Sequence, residues 1–487
     1  MKRHDKLRSI LYVSTFCLCG LLVSRASPQT FTVLHNFAPL ATNSVGTYTN
    51  IDGAASMGPL ILSGNTLYGA TIQGGANGGG TVFAVNTDGT GFKVLHVFDA
   101  LENGTNSDGS YAQFFFMNGS EYVVEQNPGL VVSGGTVYGT TASGGIWAGG
   151  TVFAVNIDGS GFTNLHDFNP ANNEGHYPHG NLVLLGQRLY GTTGFYGSGD
   201  SGTVFTLGTD GTGFTNLHTF TYSDGIGPNG LALSGNTLFG TTYVGGGVSP
   251  LSTPYGTVFS LQADGTNFKV LYNFGNGKDG DPLEGVVVSN GNVYGATPGL
   301  VFKVSADGAG FWILHRFESN GGLSPSGLVL SGNTLYGGLP GNGSAGGGTL
   351  FTVNTDGTGF TNLYSFAPAT PTGLSTSILT NRDGADPAGK LVLSGSKLYG
   401  TTQIGGSGGS GTVFKIFFPP QLSIVPAGAN VILTWPTNAV GFTLQSANNP
   451  FFQAARTNVP QPPIVLNGQN LVILPVSGAQ QFYRLRQ

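Results

Sequence analysis

Short apolar segments separated by glycine-rich turns run along most of this chain. One pair of segments reads LVLSG and TLYGTT around a tight Gly-Asn turn, and a second pair reads GTVFAVN and FKVLHVF around Thr-Asp-Gly-Thr-Gly. Apolar residues alternate within the segments, as in strands of sheets that stack face to face. The glycines of the turns can adopt positive φ. The pattern therefore predicts units of four short antiparallel strands.

The four-strand unit occurs seven times. Each copy contains a GTVF-like strand, and the phenylalanines of these strands lie about 55 residues apart, a period typical of propellers and solenoids. They are Phe83, Phe153, Phe205, Phe259, Phe302, Phe351 and Phe414. Four antiparallel strands per unit indicate a propeller blade rather than a coil of a solenoid.

The two ends of the repeat array complement each other. The seventh copy stops after its third strand, at residues 411–416, and a matching fourth strand stands at residues 31–37. Pairing the two would remove two exposed sheet edges. We therefore predict an all-β fold, a seven-bladed β-propeller closed by an N-terminal strand and followed by a small immunoglobulin- or fibronectin-like β-sandwich. An open β-solenoid is the alternative, and the split seventh copy disfavours it.

The unit LxLSGNTLYGTT…GG…GTVFxxNxDGTGFxxLHxF resembles the GloVer tandem repeat of exported bacterial "choice-of-anchor" proteins. The resemblance covers roughly residues 31–417, and the fifth copy departs from it because Pro298-Gly299 replaces its glycine-rich loop. It implies a bacterial exported repeat protein. It supplies no catalytic residues.

Three regions are predicted along the chain. Residues 1–26 form a signal peptide with a basic start, an apolar stretch from Ile10 to Val23, and Ser24 and Ala26 before the cleavage position. That stretch is too short for a typical membrane-spanning helix. Residues 27–418 form the propeller. Residues 421–487 read as about six short strands with Trp435, Phe442 and Tyr483 as core aromatics, which is typical of a small sandwich.

Composition narrows the range of functions. The chain has 83 glycines among 487 residues, 8% charged residues and a formal net charge of −5. An acidic balance without basic clusters disfavours nucleic acid as a partner. Both cysteines, Cys17 and Cys19, lie in the predicted signal, so the mature chain has no thiol chemistry. We expect no cofactor, no metal and no integral membrane segment in the mature chain, which is predicted to be secreted or at the cell surface.

Several recurring polar residues have a structural explanation. Six Asp-Gly turns fit Asp as a residue that caps local amides; they begin at Asp88, Asp158, Asp210, Asp264, Asp307 and Asp356. One repeat position holds His or Tyr and suits packing of an aromatic ring with a polar tip; it is occupied by His35, His96, His166, His218, Tyr272, His315 and Tyr364. His176 and His179 form an isolated HxxH without further metal ligands nearby.

Two groups of residues are candidates for ligand binding. Asp-Gly pairs in the loops entering several copies could place carboxylates at one mouth of a central channel; these are Asp52, Asp224, Asp279 and Asp383. The irregular segment 99–128 contains Glu121, Tyr122 and Glu125, an acidic and aromatic group suited to sugars. Turn chemistry and an extra hairpin are the structural alternatives. No catalytic residue is assigned.

Three functions remain open from the sequence. The first is an exported, non-catalytic propeller that acts as a binding or surface-interaction module, with polysaccharide or an envelope protein as partner. The second is a carbohydrate-active enzyme, a glycosidase or lyase, with its site on the face that carries the insertions. The third is a structural cell-surface protein whose C-terminal module is the working part.

Overall fold

A computed structural model describes residues 29–486 with internal gaps. The gaps are 45, 112–114, 118–119, 123–128, 195–200, 248–254, 275–279, 281, 283, 318–324, 342–345, 373–374, 421, 437–441, 449–455, 467–468 and 477–480. The regular secondary structure of the described residues consists of β-strands, apart from a 3-10 turn at Pro170–Asn172. This confirms the all-β prediction. No helix in the described part has the length and apolar character needed to cross a membrane.

The chain divides into two compact units, and the larger comprises Phe31–Leu393 with Leu398–Lys415. The repeats form seven antiparallel sheets in the described residues, numbered 1 to 7, with strands a to d. Sheet 1 has Ile61–Ser63, Thr66–Thr71, Thr81–Asn86 and Lys93–Val97; sheet 2 has Leu130–Ser133, Thr136–Thr141, Thr151–Asn156 and Thr163–Asp167; sheet 3 has His176–Leu185, Arg188–Gly194, Thr203–Gly208 and Thr215–Thr219.

The remaining repeat sheets follow the same order, except that strand a of sheet 4 is split into two pieces. Sheet 4 has Ile226–Pro228 and Ala232–Ser234, then Thr237–Val244, Thr257–Gln262 and Lys269–Asn273; sheet 5 has Val287–Ser289, Asn292–Thr297, Leu300–Ser305 and Phe311–Arg316; sheet 6 has Val329–Ser331, Thr334–Leu339, Thr349–Asn354 and Thr361–Ser365; sheet 7 has Ala385–Ser394, Lys397–Ile404, Thr412–Phe417 and Thr30–Asn36.

Sheet 7 combines the two ends of the repeat array. Its fourth strand, Thr30–Asn36, pairs with Thr412–Phe417, and the amide of Phe37 donates to the carbonyl of Gly411 at 3.2 Å. The prediction that residues 31–37 complete the seventh copy is therefore confirmed.

Each sheet is built around one glycine–phenylalanine pair, which explains the YG and TVF sequences of the repeat. In sheet 1, Gly69 of strand b lies directly opposite Phe83 of strand c. A Cβ atom on Gly69 would lie 2.4 Å from Cζ of that ring. The equivalent glycines of the other six sheets have the same relation to fully buried phenylalanines. The ring therefore fills the space that any larger residue in strand b would need.

The connections from strand d of one sheet to strand a of the next carry three small hairpins. Their strands are Ala41–Thr42 with Tyr48–Thr49, Phe115–Met117 with Ser120–Tyr122, and Thr370–Thr372 with Ser375–Thr380. These connections lie at the same end of the sheets as the loops between strands b and c. The extra structure of the described repeat region is thus concentrated on one face.

The smaller unit contains Ile416–Gln487. Its described strands form two sheets. The four-stranded sheet has the order Ser423–Ala427, Asn430–Pro436, Gln469–Pro475, Ile464–Leu466, and the three-stranded sheet has the order Thr457–Asn458, Thr443–Ala447, Phe482–Arg486. Side chains of both sheets share one hydrophobic cluster, which includes Trp435, Phe442 and Tyr483. The three aromatics predicted for this core are confirmed.

Candidate functional site

An aromatic stack is repeated wherever two consecutive repeat sheets meet. A His or Tyr in strand d of one sheet lies parallel to a Phe at the start of strand d in the next. The pairs, with ring-centroid distances, are His35–Phe92 (3.5 Å), His96–Phe162 (3.6 Å), His166–Phe214 (3.9 Å), His218–Phe268 (3.8 Å), Tyr272–Phe311 (3.8 Å), His315–Phe360 (3.6 Å) and Tyr364–Phe31 (4.4 Å). Followed in order, the contacts run from sheet 1 through sheet 7 and back to sheet 1. The packing prediction for this His/Tyr position is confirmed.

A carboxylate from the following connection binds the polar tip of most of these rings. The distances are 2.9 Å for His35–Asp52, 2.8 Å for His96–Asp108, 3.2 Å for His166–Glu174, 3.0 Å for His218–Asp224 and 2.6 Å for Tyr364–Asp383. Each carboxylate also accepts from a backbone amide three residues after the aromatic ring, such as that of Ala38 in the first case. Through these hydrogen bonds, the five carboxylates link their connections to the outermost strand of the preceding sheet.

The surroundings of these groups shift several pKa values. Burial lowers the pKa of His166, although the nearby Glu174 carboxylate opposes the shift, and burial also lowers the pKa of His315. Burial tends to raise the pKa of Asp224, but hydrogen bonds from His218 and Thr221 outweigh it and hold that pKa below its usual value. Burial and the Asp383 carboxylate raise the pKa of Tyr364 well above the ordinary range. His166 and His315 thus favour the neutral form in the folded protein.

The glycine after each of these acids is required by a threonine pair. Gly53 has φ +100°, and a Cβ atom there would lie 2.1 Å from Oγ1 of Thr71. That hydroxyl is 2.9 Å from the hydroxyl of Thr81, which donates to the backbone carbonyl of Asp52 at 3.1 Å. Equivalent threonine pairs occur in sheets 2, 3, 4 and 7. These contacts explain why a glycine follows the acid at these junctions.

The predicted ligand-binding residues that the structure describes do not lie together in one cluster. Asp52, Asp224 and Asp383 each lie at a different junction between sheets, with the partners given above. Asp279 and Glu125 lie outside the described residues. Glu121 and Tyr122 belong to the strand Ser120–Tyr122, but their side chains are also outside the described part. Ligand binding by these seven residues stays a prediction, as does the enzyme alternative.

Two features of the junctions were missed by the sequence reasoning. Glu174 was not recognised as an equivalent of the junction Asp residues, although its carboxylate stands where other junctions have Asp. An Asn two residues before the acid was also overlooked, although the motif NxDG is visible at Asn50, Asn106 and Asn381. Each Asn accepts from two glycine amides and donates to two carbonyls, so it ties the connection to the loop between strands b and c.

The other recurring polar residues act locally. In the turn at Asp88 the carboxylate accepts from the amide and hydroxyl of Thr90, which lowers the pKa of Asp88. Four equivalent turns have the same arrangement, and in the fifth Asp307 accepts from the amide of Ala309 and the hydroxyl of Ser305, which confirms the turn interpretation. His179 contacts the carbonyl of Tyr177 through Nδ1 at 3.1 Å, and burial lowers its pKa. No three His, Cys, Asp or Glu side chains converge as metal ligands in the described part of the chain.

Charged groups also lie among the first strands of sheets 5 to 7. Lys390 and Glu284 both lie close to Gly327, where a Cβ atom would be 3.1 Å from Cβ of Lys390 and 3.4 Å from Oε2 of Glu284. Burial lowers the pKa of Lys390, and Glu284 partly compensates. The side chains of one lysine and one glutamate, which belong to sheet 7 and to the segment before sheet 5, thus lie close to a glycine just before sheet 6.

These features define an all-β protein of repeated four-stranded sheets joined by identical aromatic contacts. Residues 106–299 match the model of the Gloeobacter/Verrucomicrobia repeat. The resemblance to this repeat family seen in the sequence is confirmed over these residues. No curated protein matches the chain.

Solved structures show limited similarity to this chain. An oligogalacturonate lyase from Vibrio parahaemolyticus has 10% identity and a TM-score of 0.45, covering 81% of this chain and 99% of that one. The extracellular domain of a putative hybrid two component system from B. thetaiotaomicron has 11% identity and a TM-score of 0.45, covering 84% and 43%. A gluconolactonase from Xanthomonas campestris has 14% identity and a TM-score of 0.37, covering 68% and 97%. Similarity at this level carries no information on ligand or activity.

Proposed function

We propose that this chain is an exported, non-catalytic repeat propeller that binds polysaccharide through the face bearing its inserted hairpins. Export rests on the predicted signal at residues 1–26. The scaffold is a closed seven-bladed propeller at residues 27–418, with sheets 1 to 7 as blades. The aromatic stacks support closure, because they connect each sheet to the next and connect sheet 7 to sheet 1.

The position of the hairpins carries the functional proposal. All three hairpins of the described repeat region fall in connections from strand d to strand a, and therefore on one face. The turns between strands c and d lie at the opposite end of the sheets, and they repeat one Asp-Gly sequence with little variation. Ligand sites on repeat scaffolds are usually built from insertions on one face, because the stacked core tolerates few changes. The variable face is the binding face.

Residues 421–487 are proposed to form the immunoglobulin- or fibronectin-like module. Numbered along the chain, the seven strands are ordered 1-2-6-5 in one sheet and 4-3-7 in the other. The first order corresponds to the ABED sheet of an immunoglobulin-type sandwich, and the second contains neighbouring C and F strands. This agreement supports the assignment.

The function is tested with the purified chain from residue 27 to residue 487. Retention is measured on a panel of immobilised neutral and acidic polysaccharides and on isolated envelope fractions. We expect saturable retention on at least one polysaccharide. A chain that is folded by melting analysis yet retained by none of the polysaccharides would contradict the proposal. Retention on envelope protein alone would replace the polysaccharide with a protein partner.

A further inference from the structure

The loop between strands b and c of sheet 2 presents two large apolar side chains to solvent. Ile146 is 62% exposed and Trp147 is 53% exposed. The equivalent loop of sheet 1 has only Gly, Ala and Asn between residues 74 and 80. Trp147 is the tryptophan of these loops in the sequence, whereas the corresponding segments of sheets 3 and 4 contain Phe195, Tyr196 and Tyr255 as their aromatic residues. An exposed indole at such a position contributes nothing to a core, which points to contact with a ligand.

The backbone of this loop is held in place from several sides. The amide of Gly145 donates to Oδ1 of Asn106 at 3.0 Å, and the amide of Ile146 donates to Oδ1 of Asp167 at 3.2 Å. The amide of Gly150 donates to the carbonyl of Gly144 at 3.1 Å. Ala148 has φ 59°, a conformation that these hydrogen bonds must maintain. Trp147 thus projects from a pre-organised loop, which reduces the entropy lost on binding.

The Trp147 loop also borders the longest insertion. Ser110 and Ser143 exchange backbone hydrogen bonds of 2.8 and 3.0 Å, so the loop pairs with the connection that leads to the hairpin Phe115–Met117 and Ser120–Tyr122. The turn containing Gly104, earlier in the same segment, also lies close to the loop, with 3.9 Å from a Cβ position on Gly104 to Cβ of Ala148. The Trp147 loop therefore contacts segment 99–128 at two places.

Carboxylates lie beside the two residues that flank Trp147 in the loop. Glu102, in the turn beside Ala148, is exposed, and its carboxylate has no partner among the described residues. Asp167 uses Oδ1 to hold the loop, which leaves Oδ2 to accept from a ligand. Protein–protein interfaces are depleted of charged residues at their centres. An exposed indole whose sequence neighbours lie beside carboxylates suits a sugar ring, whose C–H face stacks while its hydroxyls donate.

We propose that Trp147 is the stacking platform for a pyranose ring of a neutral polysaccharide, with Glu102 and Asp167 as hydroxyl acceptors. The inference rests on the proposed function and names its site and ligand class. Neutral rather than acidic polysaccharide follows from the carboxylates of Glu102 and Asp167, which would repel a polyuronate. The chain's net charge of −5 acts in the same direction.

The chain offers a matched control for the test. It contains three tryptophans; Trp435 is buried, whereas Trp312 is 47% exposed on strand d of sheet 5, beneath the Lys303 ammonium. The variants Trp147→Ala, Trp147→Phe and Trp312→Ala are compared with wild type. Affinity electrophoresis is run in xylan, mixed-linkage β-glucan and polygalacturonate, and melting temperatures are recorded.

We expect wild type and Trp312→Ala to bind a neutral polysaccharide equally. Trp147→Ala should bind at least tenfold more weakly, and Trp147→Phe should retain part of the affinity, with melting temperatures of all variants close to that of wild type. Wild-type binding that survives Trp147→Ala would overturn the Trp147 site and leave the proposed function standing. Binding confined to polygalacturonate would overturn the ligand class. Wild type that binds none of the three contradicts this inference, and the wider panel above then decides the proposed function.

Discussion

The junctions between the repeat sheets and the connections that cross the hairpin-bearing face follow different rules. At the junctions the same stack of His or Tyr on Phe occurs seven times, with centroid distances between 3.5 and 4.4 Å. The connections differ in length, in hairpins and in exposed residues such as Trp147. The stacked rings at the junctions are largely buried, so the space between sheets accepts only an aromatic ring with a polar tip on a Phe. Loop atoms face water and are free to vary, so a ligand-binding function can be placed there without cost to the scaffold.

The largest effect is expected from removing the junction strand supplied by the N-terminal part. A shortened chain that begins at residue 40 loses Phe31, Leu34 and Phe37, of which Leu34 and Phe37 are buried and Phe31 stacks on Tyr364. Three lost apolar anchors at roughly 1.5–3 kcal/mol each approach the total stability of a typical domain, about 5–15 kcal/mol. We expect aggregation or a strongly lowered melting temperature. A chain ending at residue 420 is the control and should melt like the full mature chain, whereas equal stability of the residue-40 chain would refute closure by this strand.

A smaller, local disruption of a repeat sheet is available in sheet 5. In Gly295→Ala the new Cβ atom would lie 2.4 Å from Cζ of Phe302, whereas nothing lies within 4 Å of a Cβ atom on Gly299. Overpacking of this kind costs about 1–3 kcal/mol. Chemical denaturation should therefore show Gly295→Ala destabilised by that amount and Gly299→Ala close to wild type. Equal free energies of unfolding for the two variants would contradict the Gly–Phe explanation of the repeat.

The variant Asn106→Ala tests how the connections on the hairpin-bearing face are held in place. The variant removes the acceptor for the amides of Gly109 and Gly145 and the donor to two carbonyls. A typical hydrogen bond contributes about 1 kcal/mol net, and this loss should act mainly on the Trp147 loop. Hydrogen exchange should accelerate at Gly109 and Gly145 and stay unchanged at Gly384 and Gly406, which Asn381 holds in the same way. Faster hydrogen exchange at amides throughout the chain would show that the connections cannot be disturbed without disturbing the junctions.

The smallest expected effect is the loss of stability at acidic pH. Burial lowers the pKa values of His166 and His315 in the folded chain, so below about pH 6.5, the ordinary His value, the unfolded chain takes up protons that the folded chain does not. Stability is therefore complete above that pH and falls as pH decreases toward the folded pKa values. Melting temperatures should drop by a few degrees between pH 7 and pH 5.

The double variant His166→Tyr, His315→Tyr supplies the comparison for that pH series, because Tyr272 and Tyr364 occupy the same position in other sheets. It should show a weaker dependence on pH over this interval while keeping the stacks. An unchanged slope would mean that other groups control the acid response.

Much of the scaffold could be predicted from the sequence. Alternation of apolar residues and the turn sequences indicated four strands per unit, and the incomplete seventh copy identified residues 31–37 as its fourth strand. Local patterns suffice here because strand and turn formation depend on neighbouring residues. The aromatic position shared by His and Tyr was recognised for the same reason, since substitution between copies revealed its packing role.

Only the tertiary structure decided which groups meet. The partner of Asp52 is His35, 17 residues away, and Glu174 takes the place of Asp at its own junction. The Trp147 loop is held by Asn106, 39 residues away, which turned an isolated aromatic in a glycine-rich loop into a candidate site. Such contacts depend on how the sheets pack against one another, and the spacing of residues along the chain does not encode that geometry.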